Sequence, residues 1–189
     1  MRILKLLGTA GAAALLAAAV SMPASAELAN AQLKDASGKA IGDVDLTQTP
    51  AGVLIRLSVK GLTPGEHAFH VHAVGKCEAP FESAGPHFNP GSHKHGMMSG
   101  EGHAGDMPNL HVPQSGELSV EVLNPAITLV KGKPNSLFDS DGSSLVIHAK
   151  ADDYKSDPAG NSGDRIACGV IQESGATVGS SPASPSAPK

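Results

Sequence analysis

The sequence predicts an all-β domain, an antiparallel barrel or sandwich, and three features carry that expectation. Val53, Ile55, Leu57 and Val59 alternate with Leu54, Arg56, Ser58 and Lys60, while Leu118, Val120 and Val122 alternate with Glu117, Ser119 and Glu121. A period of two places each apolar set on one face of a half-buried strand. Turn residues punctuate the chain at Asp35–Gly38, Pro50–Gly52, Pro64–Gly65 and Ser115–Gly116, and short strands set off by such turns suit a closed or double-layered antiparallel sheet. After residue 26 no stretch keeps the 3.6-residue apolar period of an ordinary helix.

In chain order, further strands are expected near Gln32–Lys34, Ile41–Thr47, His67–His72, Ala126–Val130 and Leu145–Ala149. With no Trp, one Tyr and four Phe, the core must be aliphatic. Glu78–Asn109 and Lys150–Ile166 are too long and too polar for hairpin turns. Loops of that length in a compact domain are usually functional.

The ends read differently from the middle. Arg2 and Lys5 precede an Ala/Leu-rich stretch from Leu6 to Val20, and Ala24-Ser25-Ala26 follows as a small-x-small cleavage site. The apolar run falls short of the roughly 20 residues a membrane span needs, so residues 1–26 read as a signal peptide cut after Ala26. That implies a periplasmic or secreted protein with no membrane span in its mature form. Residues 174–189 are rich in Ser, Pro and Ala and read as a disordered tail, leaving residues 27–173 as one domain. Removing Arg2 and Lys5 from the 14 basic residues leaves 12 against 18 acidic ones. A balance near −6 excludes nucleic acid as a partner. In an exported protein Cys77 and Cys168 would oxidise to one disulfide. A loop of that length is worth roughly 4–5 kcal/mol in the chain-entropy account.

Chemistry concentrates on histidine. His70 and His72 flank Val71 in a run that reads as strand, so they share one face while Phe69 and Val71 take the other. Two imidazoles at i and i+2 can grip one ion, although H-x-H alone often marks only a solvated face. His87, His95 and His103 recur at spacings of eight, with Asp106 three residues on. Three imidazoles and one carboxylate make a closed four-coordinate set suited to Zn²⁺. His93 keeps open a looser, histidine-rich reading of this loop. His67 and His111 are better read as structural or solvated. Met97, Met98 and Met107 offer thioethers to Cu(I), but surface and packing roles suit them better.

Six stretches together carry a resemblance: Ala68-Phe69-His70-Val71-His72; Ser83-Ala84-Gly85-Pro86-His87-Phe88-Asn89-Pro90; Lys94-His95-Gly96; Gly102-His103-Ala104-Gly105-Asp106; the run from Leu145 to Asp153 around His148; and the run from Gly160 to Ile171 around Arg165 and Cys168. In order, over about residues 28–172, they resemble the copper/zinc superoxide dismutases of the exported bacterial type. The resemblance implies an eight-stranded antiparallel Greek-key barrel with two long functional loops. It implies copper on His70, His72, His87 and His148, and zinc on His87, His95, His103 and Asp106, so that His87 bridges the two ions. Asp152 matches a carboxylate that hydrogen-bonds one histidine of each set, and its neighbour Asp153 reads as a loop surface charge. Arg165 matches the arginine that docks the superoxide anion, and Cys168 would pair with Cys77. Gly61 to Gly65 and His67 match the family's crossover loop and its structural histidine.

The implied activity is dismutation of superoxide to O₂ and H₂O₂, an antioxidant defence outside the cytoplasm. Cys77 follows His72 by five residues and the Ala149–Arg165 loop is short, so the homodimer contact of cytosolic relatives does not carry over, although a homodimer of another kind is open. Lys150 and Lys155 are candidates for steering the substrate. A copper buffer would be expected to lack a copper ligand or Arg165, and neither is missing. A zinc hydrolase would need an open zinc position and a nearby base, and the chain has no H-E-x-x-H.

Overall fold

The computed structural model describes residues 27–98 and 100–175. The leader expected over residues 1–26 and the tail from residue 176 onward lie outside them. The strands are β1 (Leu28–Asp35), β2 (Ala40–Thr49), β3 (Gly52–Lys60), β4 (Gly65–His67), β5 (Phe69–His72), β6 (Leu110–Val112), β7 (Glu117–Asn124), β8 (Ser144–His148), β9 (Arg165–Val170) and β10 (Gln172–Glu173). A three-residue 3₁₀ turn, Glu82–Ala84, is the one helical element among the described residues.

One eight-stranded antiparallel sheet runs in the order β5-β8-β9-β1-β2-β3-β7, with β10 also on β1. It curls into a barrel. β3 neighbours β2 and β7, so the chain leaves the β1–β2–β3 meander, crosses to β4 and β5, and returns through β6 to pair β7 with β3. That return is Greek-key order. β4 and β6 form a separate two-stranded ladder.

Alternation sets the register as the sequence predicts. Val44, Leu57 and Val120 face one another across β2, β3 and β7; Val44 and Leu57 are almost fully buried. Burying such a side chain contributes about 1.5–3 kcal/mol relative to leaving it in water. One residue along, Arg56 meets Glu121 on the outer face at 2.6 Å. That pair is exposed and adds little. Phe69, Phe88 and the aliphatic side chains of both barrel halves fill the core.

The expected strand at His67–His72 is divided at Ala68, whose N–H donates to Lys150 O and whose carbonyl accepts from His148 N. Ala126–Val130 is not a strand. Ile127 and Leu129 are buried as the alternation implies, but only one isolated bridge, Thr128 to Ser136, forms there. The Gln48 side chain supplies the missing partner, accepting from Leu129 N–H and Thr128 Oγ1–H. Three strands went unpredicted. β6 has three residues and β10 has two, too short for a period, and β9 lacks a polar-apolar alternation to read. Ser174 is hydrogen-bonded to β1 through Leu28 O and Asn30 Nδ2, so pairing with β1 extends past residue 173.

Candidate metal centre

All four residues of β5 are buried, although only one face of the strand meets the core. Phe69 and Val71 pack inward. His70 and His72 face the other way and are covered by the 78–109 loop, which docks along β5 as an irregular neighbour. Val71 N–H donates to Gly105 O and Phe88 N–H to Val71 O, and isolated bridges join His70 to Asp106 and His72 to His87. On β8, which pairs with β5, His148 ends the strand beside a bulge. Ile147 faces Ala167 but His148 faces Arg165, so Ile166 is the extra residue. The bulge brings Arg165 alongside His148.

Two four-residue sets result, in each of which every residue offers one ligand atom and these atoms lie within 4.8 Å of one another. One is His70, His72, His87 and His148; the other is His87, His95, His103 and Asp106. These are the residues expected in the two sets, and the fold brings them together. His93 is not among them; it is partly exposed and turned toward Glu101 at 3.1 Å. His67 is buried between Thr63 O and His148 O, and His111 lies exposed beside Glu66. Met97 and Met98 are exposed, whereas Met107 is packed in the core.

Hydrogen bonding fixes which nitrogen of each ring faces its neighbours. Asp152, itself buried, accepts from His70 Nε2–H at 2.7 Å with one oxygen and from His95 Nε2–H at 3.0 Å with the other. Both rings therefore turn a bare Nδ1 lone pair inward. His72 gives its Nδ1–H to Gly85 O, and His148 Nδ1 contacts Ser162 Oγ and Gly163 O. Their Nε2 atoms face each other at 3.3 Å. Two facing lone pairs in a buried place repel unless a cation lies between them.

The donor set fits metal on two counts. Four buried imidazole nitrogens, His70 Nδ1, His87 Nε2, His95 Nδ1 and His103 Nδ1, have no hydrogen-bond partner, and buried polar atoms are rarely left so. Nδ1 of His87, His95 and His103 lies 3.0, 3.1 and 3.5 Å from Asp106 Oδ1. Four ligands about 2.0–2.1 Å from a tetrahedral Zn²⁺ sit roughly 3.3 Å apart. Asp106 Oδ2 is occupied by the backbone N–H groups of Gly96 and His103, at 2.9 Å each, leaving Oδ1 to the nitrogens.

Protonation follows burial. Desolvation lowers His70 to about 4, although Asp152 pulls it upward. It lowers His148 to about 3, helped by His70, and puts His72 well below the ordinary value. The rings are neutral ligands at physiological pH. Burial alone would raise the Asp106 carboxyl, but the His87 ring and two backbone N–H groups hold it well below the carboxylate range. Asp152 is lowered in the same way, with the bonds from His70 and His95 outweighing burial.

Asn109, Tyr154 and Asp157, which the sequence did not point to, complete the scaffold together with Gly160 and Asp153. Asn109 clasps Asp152 by its backbone, accepting from Asp152 N–H and donating to Asp152 O. Tyr154 OH accepts from Asn109 N–H, and Asp157 accepts from His95 N–H. Gly160, at φ +63°, lies against Asp152 and His95 so closely that any Cβ there would collide with both. Asp153 organises its own loop, accepting from the Lys155 and Ser156 N–H groups and from Asn161.

Beside His72, His87 and His148 opens a cleft of about 510 Å³ whose wall includes Arg165. Arg165 Nη1 donates to Phe81 O at 2.7 Å and Nη2 to Gly85 O at 2.8 Å. The Cys77–Cys168 disulfide ties this turn to β9. Gly85 O thus accepts from both His72 and Arg165.

An antiparallel barrel carrying two histidine clusters that share one imidazole, beside a fixed guanidinium, defines a class of protein able to hold two metal ions side by side. Residues 40–171 match the model of the copper/zinc superoxide dismutase family. The chain belongs to that family. It is 55% identical over 146 residues to superoxide dismutase [Cu-Zn] 1 of Aquifex aeolicus, covering 76% of this chain and 86% of the relative. A solved superoxide dismutase-like protein from Bacillus subtilis is 41% identical with a TM-score of 0.72, over 75% of this chain and 96% of that one. The solved Cu/Zn superoxide dismutase from Brucella abortus is 32% identical with a TM-score of 0.65, over 77% and 100% respectively.

Proposed function

We propose that this protein is an exported oxidoreductase that dismutates superoxide to O₂ and H₂O₂. In this reading His70, His72, His87 and His148 hold copper, and His87, His95, His103 and Asp106 hold zinc. The observation that carries it is the pair of complete donor sets meeting at His87, with bare, buried nitrogens aimed into both. The all-nitrogen set suits copper and the set with one carboxylate suits zinc. Copper held there would supply one-electron redox chemistry between successive superoxide ions.

The chain's own groups do the rest. Arg165 presents a guanidinium held by Phe81 O and Gly85 O, a fixed positive charge for a small anion at the cleft. The His87 ring lies between the two donor sets, with Nε2 toward the first and Nδ1 toward the second. His87 Nε2 is the atom at which a proton can be held and delivered to the reduced product. Asp152 holds His70 and His95 so that neither ring turns during the cycle. The disulfide and the leader-like residues 1–26 support export to an oxidising compartment. Among the described residues no helix is long and apolar enough to cross a membrane.

Metal analysis with electron spin resonance tests the proposal. The mature protein is expected to hold one copper and one zinc per chain and to dismutate superoxide above the background of free copper. A fully metallated sample without activity would overturn it.

A further inference from the structure

The cleft beside the histidines is lined by one guanidinium and two carboxylates, those of Arg165, Glu82 and Asp164. Of the two acids, Glu82 is in ion-pair range, with Oε2 3.8 Å from Arg165 Nη2. The partners differ in setting. The Arg165 side chain is 16% exposed and held by two carbonyls, whereas that of Glu82 is 78% exposed. Glu82 opens the short turn Glu82–Ala84, and the two carbonyls that grip Arg165, of Phe81 and Gly85, flank that turn directly. The backbone that carries the carboxylate is therefore held beside the guanidinium, although the exposed side chain itself is not clamped. It is too loosely placed to neutralise Arg165, and close enough to act on any anion that docks there.

We propose that Glu82 is a specificity-determining residue, a charge filter that admits monoanions such as superoxide to Arg165 and turns away multiply charged anions such as phosphate. The inference rests on the reading of Arg165 as the anion dock. Repulsion from a carboxylate tethered nearby scales with the charge of the incoming ion. At roughly 7 Å in water-like surroundings it weakens a monoanion about threefold and a dianion about tenfold, the square of the first factor. The substrate loses a little and its multiply charged competitors lose much more. Lys150, whose stem lies against Gly163 at the edge of the cleft, offsets part of the repulsion for both anions and so narrows the ratio between them.

The experiment uses the mature, metal-loaded protein and an arginine-directed reagent, phenylglyoxal, with modified Arg165 identified by peptide mass. Nitrate is the monoanion probe, and phosphate, in buffer alkaline enough to make it a dianion, is the second. Both are expected to protect Arg165 in the wild type. In Glu82→Gln the protection constant should tighten about threefold for nitrate and about tenfold for phosphate. Superoxide dismutation should rise by the nitrate factor and become more sensitive to added phosphate. Equal tightening for both anions would mean a contact or shape effect and overturn the filter. So would unchanged constants in the variant. If neither anion protects Arg165 in either protein, the dock itself is overturned and the filter with it.

Discussion

The two donor sets share His87 but are built in different ways. His70, His72 and His148 stand on β5 and β8, paired strands whose other faces are locked into the core. His95, His103 and Asp106 stand in a loop with no strand of its own, ordered by side chains that reach for its backbone. Asp106 Oδ2 binds the N–H groups of Gly96 and His103, and Asp157 binds that of His95. The strand set is positioned by the barrel before any ion arrives. The loop set holds itself together around one carboxylate, so it depends far more on its ion for order.

The largest expected effect tests the cost of that pre-positioning. In protein stripped of metal, buried His70 and His148 resist protonation until about pH 4 and 3, while the same side chains in the unfolded chain take a proton near pH 6.5. Between those values the unfolded state binds more protons, so stability falls as the pH falls through this window. The loss from pH 6.5 to 4 should be on the order of 3 kcal/mol or more. Denaturant unfolding of chelated protein across that range measures it. A flat profile would mean that the strand histidines are not held neutral by burial.

Asp106→Ala comes next and strikes the loop set alone. It should weaken zinc binding by about a hundredfold or more, beyond what loss of an outer partner costs, and raise amide exchange over residues 94–106. Copper binding should persist. If copper is lost in parallel, the strand set is not independently built and the contrast fails.

The His, His, His and Asp of the glycine-rich loop and the H-x-H pair were legible from residue type, whereas His148 and the sharing of His87 were legible only through the family resemblance, because strand pairing and loop docking, not spacing, bring them to the pair. The strands at 53–60 and 117–124 were legible because half-exposure writes a period of two. β9 was not, since its central residues Ala167, Cys168 and Gly169 are all buried and nothing alternates. Ala126–Val130 misled because alternating burial there comes from capping the barrel, with Gln48 standing in for a strand. Asn109, Tyr154 and Asp157 left no trace because their task is to hold backbone, which any polar residue could do from many positions. Only the fold shows which one is in reach.

Smaller effects refine the comparison. Arg165→Ala should leave both sets intact, since the side chain is no ligand, and slow dismutation about tenfold, or 1.4 kcal/mol. Lys at that position should recover part of the rate but not the two-donor fork. An unchanged rate at full copper content would place the docking anion elsewhere. Smallest of all is His93→Ala. Its ring is directed to Glu101, so zinc affinity should stay within about twofold, a few tenths of a kcal/mol, by competitive titration. A larger drop would enlarge the loop set by one ligand.

Asp152 spends one oxygen on each set, on His70 of the strands and on His95 of the loop, and Asn109 keeps its backbone from yielding. An ion held by either set would fix one of those rings and, through the shared carboxylate, bear on the ring of the other set. The two binding events are then linked, and linkage is reciprocal: the factor by which zinc tightens copper must equal the factor by which copper tightens zinc. Were the coupling favourable, zinc already in place would raise the chain's affinity for copper, and by the same factor copper would raise its affinity for zinc.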